Sequence, residues 1–488
     1  MAKRVGVIDI GSNSVRMVVY EKTSRFSFHI LHECKSSVRL SQDSYENDGL
    51  LQNIPMQRAI DALENFLSII KSFKVRKTLC VATSALRDAP NKKYFLQKVK
   101  NRLDLKIKII DGERESYLGA VACANLLPKQ ENALSLDIGG GSTEFSLIND
   151  KNISHNISLK LGTVRIKELY FDKDNIDGAK RYIDSELMKL DNISPTSLVG
   201  IGGTFRAVSA AIMVSNNYPF EKLQAYEPSY NDFSDYLKQI LDSNEDELKK
   251  LYIKNSRFDI IKPGALILSR ILKKFDIKKL ITSGVGVREG VYLTDLLRNS
   301  KDKFPQNYNV SVRHILDLHV DNTAYANQLS KLTKKIFNLT HEFLEIDVKY
   351  RYELGVVAKL FISGSNMHFY SQHKHNYHLL QNALEYGFTH SQTMLITTLS
   401  RYANRKNPSA LHVEKYSELL PDIKVLNRLN YILSLSISLL RHRPRNIDFD
   451  ITFEENILAI KSKNKLYLAK ESVKKLDTLS GLDINFIN

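Results

Sequence analysis

The chain has 488 residues and a formal net charge of +16, with 43% hydrophobic and 25% charged residues. This composition is typical of a globular protein and excludes a disordered or fibrous chain. The length exceeds what one hydrophobic core supports, and the positive charge favours acidic partners such as polyphosphate, nucleotides or nucleic acid.

No apolar stretch approaches the roughly 20 residues that a membrane-spanning helix needs. The first apolar run is short and contains Asp9, which does not fit a secretory signal. Cys34, Cys80 and Cys123 lack the spacing of a metal site, so a reducing environment explains them. We therefore expect a cytoplasmic protein with no membrane partner.

Residues 1–122 are predicted to form an α/β domain. Apolar runs and alternation predict three consecutive strands at 4–10, 15–20 and 26–33. A helix at 55–73, a strand at 78–82, a helix at 92–103 and a strand at 106–110 follow.

Residues 123–300 are predicted to repeat this order. Strands are expected at 133–138, 144–149, 151–160 and 197–200. A final strand and glycine turn within 279–290 lead into a helix at 291–298. The repetition predicts two similar half-domains that face each other across a cleft.

Residues 301–443 are predicted to be all-helical, because turn glycines become rare and the apolar periodicity is helical. Ten of the thirteen histidines fall beyond residue 301. Residues 444–488 are predicted as a small α/β module, with a β-hairpin over 456–469.

Two segments of nearly identical pattern carry the functional prediction. Each is a buried strand that ends in an acid, Asp9 or Asp137, followed by glycine and serine. Small residues after a strand let backbone N–H groups approach a phosphate closely. The predicted loop residues are Gly11, Ser12, Asn13 and Ser14 in the first segment and Gly139, Gly140, Gly141, Ser142 and Thr143 in the second.

Carboxylates beside phosphate loops imply a mediating divalent cation, for which Mg²⁺ is the expected ion. The candidate ligands are Asp9, Asp137 and Glu144, although each aspartate could instead only cap its turn. Candidate cations for the phosphate are Arg16, Arg87 and Arg165, any of which could instead be a solvated surface residue.

Hydrolysis also needs a base that deprotonates the attacking water. Glu113 and Glu115 follow the strand at 106–110, at the start of a predicted helix. Acids at a helix start also interact favourably with the helix dipole, so position alone leaves their role open.

Seven segments in chain order carry a family resemblance: Asp9-Ile-Gly-Ser-Asn-Ser14, Ala82-Thr-Ser-Ala-Leu-Arg87, Gly112-Glu-Arg-Glu115, Leu136-Asp-Ile-Gly-Gly-Gly-Ser-Thr-Glu144, Leu161-Gly-Thr-Val-Arg165, Gly200-Ile-Gly-Gly-Thr204 and Ser283-Gly-Val-Gly-Val-Arg-Glu-Gly290. Together they resemble the exopolyphosphatase/guanosine pentaphosphate phosphohydrolase (Ppx/GppA) family. The resemblance implies two actin-like (ribonuclease H-like) domains and Mg²⁺-dependent release of terminal phosphate from inorganic polyphosphate or from pppGpp.

The resemblance also implies roles for individual residues. Glu115 matches the general base, Asp137 and Glu144 match metal and water ligands, and Arg87 matches an arginine that contacts the phosphate chain. Asp9 lies in the first phosphate loop, and the third turn adds Gly202, Gly203 and Thr204 to the binding residues.

Two departures from the family pattern stand out. Arg114 replaces the acid that usually precedes the base, so Glu113 remains an alternative to Glu115. The helical region resembles an HD-type phosphohydrolase domain, but Phe361 and Ile362 stand where a metal-binding His-Asp pair would be. We therefore interpret the later histidines as packing residues or phosphate contacts and expect no second metal site: His368, His373, His375 and His378.

Two other functions remain open from the sequence. An actin-fold kinase would use ATP and a second substrate, and a non-catalytic sensor would bind polyphosphate or a guanosine penta- or tetraphosphate without hydrolysis. No sequence-specific nucleic-acid partner is expected, and a homodimer is implied by the resemblance. Residues beyond 305 are expected to extend a polyphosphate track, with Lys461, Lys463, Lys465 and Lys470 as candidate contacts.

Overall fold

A computed structural model describes residues 3–191, 193–477, 479 and 481–487. The chain divides into two compact units, residues 1–310 and 311–488. Within the described residues, no helix combines the length and apolar character needed to cross a membrane.

The first unit contains two five-stranded sheets with the same strand order. The first sheet has the order β3-β2-β1-β4-β5 and the second β8-β7-β6-β9-β10. The central strands β1 and β6 each pair antiparallel with the next strand and parallel with the fourth. The strands are β1 (Arg4–Ile10), β2 (Val15–Lys22), β3 (Phe28–Ser36), β4 (Lys77–Ala82), β5 (Lys108–Ile109), β6 (Ala133–Ile138), β7 (Thr143–Asn149), β8 (Asn152–Leu159), β9 (Ser197–Ile201) and β10 (Lys279–Thr282).

Helices pack on these sheets and bury a hydrophobic core in each half, and the second half has a further buried cluster on the opposite face of its sheet. Val7 and Ile8 of β1, and Leu134 and Leu136 of β6, are fully buried because central strands of such sheets are covered on both faces. The helices are α1 (Asn53–Ser72), α2 (Ser84–Asp88), α3 (Lys92–Leu103), α4 (Gly112–Leu126), α5 (Thr163–Leu169), α6 (Ile176–Leu187), α7 (Gly202–Ser215), α8 (Tyr230–Asp242), α9 (Glu245–Lys250), α10 (Phe258–Phe275) and α11 (Val287–Leu296). The predicted duplication of an α/β half is therefore confirmed.

The start of α11 differs from the prediction. The helix expected at 291–298 begins at Val287, directly after the glycine turn. The Glu289 carboxylate accepts a hydrogen bond from the Gly286 N–H at 2.8 Å. This local bond satisfies a donor at the helix start, so the helix begins earlier than the apolar pattern indicates.

The second unit combines helices with a small sheet. Strands β11 (Asp450–Glu454), β12 (Ile457–Lys461) and β13 (Asp483–Ile487) form the order β11-β12-β13. One hydrophobic cluster contains Leu329 and Leu433 from the helices together with Leu458 and Leu482 from the tail. The helices are α12 (Val310–His319), α13 (Thr323–Thr340), α14 (Arg351–Leu360), α15 (Gln372–Ala383), α16 (His390–Tyr402), α17 (Ala410–Lys415), α18 (Ile423–Leu439) and α19 (Tyr467–Val473).

The hairpin predicted over 456–469 is wrong in position. The hairpin joins β11 to β12 through Glu455 and Asn456, which have φ values of 47° and 65°. Two consecutive positive φ values are typical of the tight turn that matches strand twist. Residues from Tyr467 onward form α19 instead, because Leu466 and Ala469 are buried at helical spacing.

Candidate functional site

The two glycine loops have the same backbone geometry. The Gly11 N–H donates to the Ser14 carbonyl at 3.1 Å, and the Gly139 N–H donates to the Ser142 carbonyl at 2.9 Å. Strand register places Asp9 opposite Arg16 in the first half. In the second half the equivalent register pairs Asp137 with Glu144. The halves thus share a hairpin but differ in the charge opposite each aspartate.

The two loops touch each other. A Cβ atom added to Gly140 would lie 2.7 Å from Ser12 Cβ, so only glycine fits there without displacing the first loop. Ser12 Oγ also forms a hydrogen bond with Ser84 Oγ at 3.1 Å. The predicted facing arrangement of the loops is therefore confirmed.

A cavity of about 160 Å³ lies between the loops. This volume is below the roughly 300–1,000 Å³ of typical small-molecule sites, so it suits phosphate groups better than a whole nucleotide. The sequence-predicted residues that line it are Asp9, Gly11, Ser12, Asn13, Ser14, Arg16, Glu115, Asp137, Gly139, Gly140, Glu144, Gly202, Gly203 and Thr204.

Six residues that the sequence analysis singled out do not line this cavity: Arg87, Glu113, Gly141, Ser142, Thr143 and Arg165. Arg87 and Ser142 border an adjacent surface recess that also contains Glu113. The Gly141 carbonyl accepts a hydrogen bond from Arg165 Nε at 2.9 Å. Thr143 is fully buried, and its hydroxyl donates a hydrogen bond to the Leu161 carbonyl. Its side chain therefore connects β7 to the segment after β8.

Glu115 lines the cavity and forms an ion pair with Arg87. It belongs to the first turn of α4, whose start Asp111 caps by accepting the Arg114 N–H at 2.7 Å. Arg87 Nη1 donates to Glu115 Oε2 at 2.7 Å, and Arg87 Nη2 donates to Ser142 Oγ at 3.2 Å. Arg87 therefore links the carboxylate to the second loop.

Glu144 lies beside this pair. Arg87 Nη2 is 4.0 Å from Glu144 Oε1, which also accepts a hydrogen bond from Ser158 Oγ at 2.8 Å. Burial, the largest cause, and the Asp137 carboxylate together raise the pKa of Glu144 to about 7, against the opposing effects of Ser142, Ser158 and Arg87. Burial first, and then Glu144, raise the pKa of Glu115 well above its ordinary value. An acid with a pKa of about 7, as Glu144 has, can hold and release a proton at physiological pH.

The alternative acid has a different environment. Glu115 is 8% exposed and faces the cavity, whereas Glu113 is exposed and borders the outer recess. Only Glu115 is therefore placed next to the glycine loops.

The two aspartates fit an oxygen-binding cation. Burial raises the pKa of Asp9 to about 6 against the opposing charges of Arg288 and Arg16, and burial also raises the pKa of Asp137. Within the described residues, no donor makes a hydrogen bond to either carboxylate. Across the same residues, no group of three or more His, Cys, Asp or Glu side chains is arranged to hold a metal by itself. Such an ion would need further oxygens from substrate and water, as Mg²⁺ commonly does.

The structure adds four cations that sequence reasoning missed: Lys35, Arg206, Arg257 and Arg288. Lys35 is opposite Arg16 in the β2–β3 register, a signal that strand pairing could have revealed. Arg288 pairs with Glu33 and lies in the first turn of α11, directly after the last glycine turn. Arg257 lies against Gly203 from the start of α10, a position without any local sequence signal.

Arg206 is held by backbone carbonyls and not by acids. Its Nε donates to the Ser283 carbonyl at 2.6 Å and its Nη2 to the Val285 carbonyl at 3.0 Å. Burial lowers its pKa to about 10, which leaves the guanidinium charged at neutral pH.

Arg165 connects the two halves at the edge of the cleft. Its Nη2 donates to Asp88 Oδ2 at 3.0 Å, and its guanidinium lies 4.4 Å from the Tyr45 ring centroid. Glu168 on the same helix accepts the backbone N–H groups of Asp43 and Tyr45 at 3.0 and 3.1 Å. A segment of the first half thus docks on α5 of the second.

Two histidines of the second unit, His368 and His412, have structural surroundings. Phe361 and Ile362 are buried in its hydrophobic core. His368 Nδ1 accepts the Ser371 N–H at 3.2 Å, which caps a short helical turn. His412 is bonded to Thr398 at 2.9 Å, and burial lowers its pKa to about 4.

Comparison with known proteins identifies the family. Residues 18–299 match the model of the Ppx/GppA phosphatase family, and residues 309–479 match Ppx/GppA phosphatase, domain III. The chain belongs to the Ppx/GppA phosphatase family. It is a hydrolase, as the sequence predicted.

Two curated relatives illustrate the match. A guanosine-5'-triphosphate,3'-diphosphate pyrophosphatase from Pseudoalteromonas atlantica is 26% identical over 468 residues, which cover 92% of this chain and 89% of the relative. A bifunctional 3-dehydroquinate synthase/phosphatase from Fusobacterium nucleatum is 31% identical over 296 residues, or 57% of this chain. The latter match spans 44% of that longer protein.

Two solved structures each match 62% of the chain. An exopolyphosphatase from Cytophaga hutchinsonii is 27% identical with a TM-score of 0.57 and covers 62% of this chain and 100% of its own. A Ppx/GppA family member from Aquifex aeolicus is also 27% identical, with a TM-score of 0.53, 62% coverage of this chain and 99% of its own.

Proposed function

We propose that this Ppx/GppA member is a phosphohydrolase that releases the terminal phosphate of inorganic polyphosphate or of pppGpp. The observation that carries the proposal is the contact between the two glycine loops around a small cavity that five acids and several cations line. The names of the pyrophosphatase and exopolyphosphatase relatives support these two substrates.

In the proposed reaction the phosphate chain lies along the two loops and the cations Arg16, Lys35 and Arg257. Backbone N–H groups and guanidinium groups bind the non-bridging oxygens and offset their charge as the anhydride bond breaks. Arg87 contacts the terminal phosphate from the side of the second loop and holds Glu115 in place.

Glu115 is proposed to accept the proton of the attacking water. Its raised pKa makes it a stronger base than an exposed carboxylate, and Glu144 orients the same water. The water oxygen forms a bond to the terminal phosphorus as the bridging oxygen leaves with the remaining chain.

Mg²⁺ is the proposed cofactor, with Asp9 and Asp137 as its protein ligands directly or through water. The ion would neutralise phosphate charge at the cleavage point. No sequence-specific nucleic-acid partner is proposed. The proposed oligomeric state is a homodimer, which sedimentation of the purified protein would test.

The deciding experiment measures phosphate release from polyphosphate and from pppGpp for wild type, Glu115→Gln and the matched control Glu113→Gln, with Mg²⁺ and with a chelator. We expect Glu115→Gln to lower the rate about 10²- to 10⁴-fold while polyphosphate binding persists. Glu113→Gln should retain wild-type rates, because Glu113 is exposed and does not line the cavity. Equal losses in both variants would contradict the assignment of the base.

The kinase and sensor alternatives predict different results. A kinase would consume ATP only when an acceptor is present, and a sensor would bind both substrates without phosphate release. The surroundings of the third glycine turn favour the binding of a phosphate chain over the binding of adenosine. The Arg257 guanidinium lies directly against Gly203 of this turn, where it offers a positive charge to phosphate.

A further inference from the structure

Residues 39–45 of the first half lie between the two glycine loops, and we name this segment the clasp. Its backbone is bound to the first loop. The Arg39 N–H donates to the Asn13 carbonyl at 2.9 Å, and the Ser41 N–H donates to the Ser12 carbonyl at 3.1 Å. Arg39 has a φ of 49°, a left-handed conformation that is unfavourable for a residue with a side chain. These bonds therefore hold the clasp in a shape that an isolated chain rarely adopts.

The other end of the clasp is bound to the second half by Glu168 on α5. One carboxylate oxygen accepts the Asp43 N–H at 3.0 Å, and the other accepts the Tyr45 N–H at 3.1 Å. Glu168 is 6% exposed, and these two donors oppose the rise in its pKa that burial causes. Hydrogen bonds to a carboxylate are stronger than bonds between neutral groups. Glu168 is therefore the main anchor of the clasp, because the ion pair of Arg39 with Asp259 is largely exposed.

Tyr45 brings the clasp into contact with the second glycine loop. A Cβ atom added to Gly141 would overlap the Tyr45 hydroxyl oxygen and would lie 2.9 Å from Ser84 Oγ of the first half. The Arg165 guanidinium lies 4.4 Å from the centroid of the Tyr45 ring, and its Nε donates to the Gly141 carbonyl at 2.9 Å. Side chains from both halves thus enclose Gly141.

The clasp is bonded to one loop and packs against the other, so it influences the distance between them. This distance matters for a ligand that contacts both loops, because an N–H group binds a phosphate oxygen only within about 2.7–3.2 Å. The described residues that line the cavity include neither Glu168 nor any residue of the clasp. The clasp therefore acts through the loops and not on the substrate.

We propose that Glu168 and Tyr45 are positioning residues that set the separation of the two glycine loops through the clasp. The inference rests on the proposed function for its ligand, a linear phosphate chain that contacts both loops. Release of the clasp lowers the fraction of molecules whose loops are correctly spaced, and the apparent dissociation constant rises in inverse proportion to that fraction. A bound phosphate chain holds the loops together, so by linkage it also stabilises the clasp.

The first experiment measures the affinity of the full-length protein for inorganic tripolyphosphate by calorimetry. Mg²⁺ is present, and all proteins carry Glu115→Gln so that the ligand is not consumed. Glu168→Ala and Tyr45→Ala should each raise the dissociation constant about tenfold. Glu168→Gln should raise it less, because its carbonyl oxygen still accepts one of the two N–H groups. Tyr45→Ala, at a half-buried position, keeps the test available if Glu168→Ala does not fold.

The matched control is Glu186→Ala. The Glu186 side chain is 12% exposed, and its Oε2 accepts the Lys160 N–H at 3.2 Å, but both residues belong to the second half. Its removal deletes a similar bond that does not connect the halves. We therefore expect Glu186→Ala to leave the affinity for tripolyphosphate unchanged.

Hydrogen exchange observes the clasp itself and requires no turnover. In Glu115→Gln protein, tripolyphosphate should slow exchange of the backbone amides of residues 39–45 by about fivefold or more, because the ligand stabilises the clasp. Addition of Glu168→Ala should speed exchange in this segment when no ligand is present. Exchange in α3, which lies outside the clasp, should change in neither case.

Steady-state kinetics with otherwise wild-type protein separate positioning from a purely structural role. Glu168→Ala should raise KM for polyphosphate about tenfold and keep kcat within about threefold, because saturating substrate holds the loops together in place of the clasp. A purely structural role would lower the melting temperature and leave KM of the folded protein unchanged.

Several results would overturn the proposal. These are an unchanged affinity for tripolyphosphate in Glu168→Ala or in Tyr45→Ala, an equal loss in Glu186→Ala, clasp exchange that the ligand does not slow, or a loss of kcat without a rise in KM. Failure of tripolyphosphate to bind up to about 10 mM would contradict both this inference and the proposed function. Normal binding and clasp protection without any phosphate release would contradict the proposed function alone.

Discussion

The two halves of the first unit have one backbone pattern and opposite chemistry. In the first half Asp9 faces Arg16 across the hairpin, whereas in the second half Asp137 faces Glu144. The first hairpin continues to Lys35 on the next strand, and the second continues to Ser158, which donates to Glu144. In the proposed mechanism, this one cross-strand position would suit the first half to bind phosphate and the second half to orient the attacking water.

The largest expected effect comes from removing the charge at each of these two positions in turn. Glu144→Gln should lower kcat for phosphate release about 10²-fold or more, because it removes an acid that orients the attacking water. Arg16→Gln should mainly raise KM, because it removes a phosphate contact. Steady-state kinetics with polyphosphate measure both, and a matching loss of kcat in Arg16→Gln would remove the distinction between the halves.

The pH dependence should follow the acidic half. The base must be ionised, and burial raises the pKa of Glu115 and brings that of Glu144 to about 7. We therefore expect kcat/KM to rise as the pH increases through about 7 and to fall about tenfold per unit below it.

Ser158 provides a sharper version of this test. Its hydrogen bond lowers the pKa of Glu144, so Ser158→Ala should move the rising limb of the pH profile to higher pH. Arg16→Gln should leave the midpoint in place. An unchanged profile in Ser158→Ala would show that Glu144 does not control the titration.

The glycines of the two loops should respond differently to alanine. A Cβ on Gly140 would meet Ser12 Cβ at 2.7 Å, while one on Gly11 would lie 3.3 Å from the Ser14 carbonyl. We expect Gly140→Ala to cost about 1–3 kcal/mol of unfolding free energy and Gly11→Ala less. Denaturant titration measures both, and the reverse order would contradict the contact between the loops.

The smallest effect is expected where the halves meet at the surface. Asp88→Asn weakens the ion pair with Arg165, in which the aspartate side chain is 37% exposed. Since exposed pairs contribute little, KM should change by about two- to fivefold at most. A loss of kcat comparable to that in Glu144→Gln would show that Arg165 acts in the reaction itself.

Much of the site could be predicted from the sequence because its parts are local. The strand, acid and glycine turn that surround Asp9 and Asp137 occur in one continuous segment each, so spacing alone placed the two loops. The choice between Glu113 and Glu115 could not be made this way, because both residues lie in the first turn of the same helix. Only the folded chain shows that Glu115 is buried and Glu113 is exposed.

Other parts depend on long-range packing. Arg257 reaches Gly203 from a helix that starts more than fifty residues later, and no local pattern marks it. The terminal hairpin was misplaced because 456–469 contains an alternating apolar pattern, while its real partner strand, Asp450–Glu454, has only two partly or fully buried apolar residues, Ile451 and Phe453. The position of the hairpin depends on the pairing of β11 with β12 across the turn at Glu455 and Asn456.

The hydrophobic cluster shared by Leu329, Leu433 and Leu482 constrains how the second unit folds during translation. Its helices cannot close their apolar faces until the residues up to about 482 have left the ribosome. Until then the nascent helices expose apolar surface that can associate with other chains. Premature termination a few dozen codons early should therefore yield aggregates or degraded protein, even though the two glycine loops are already complete.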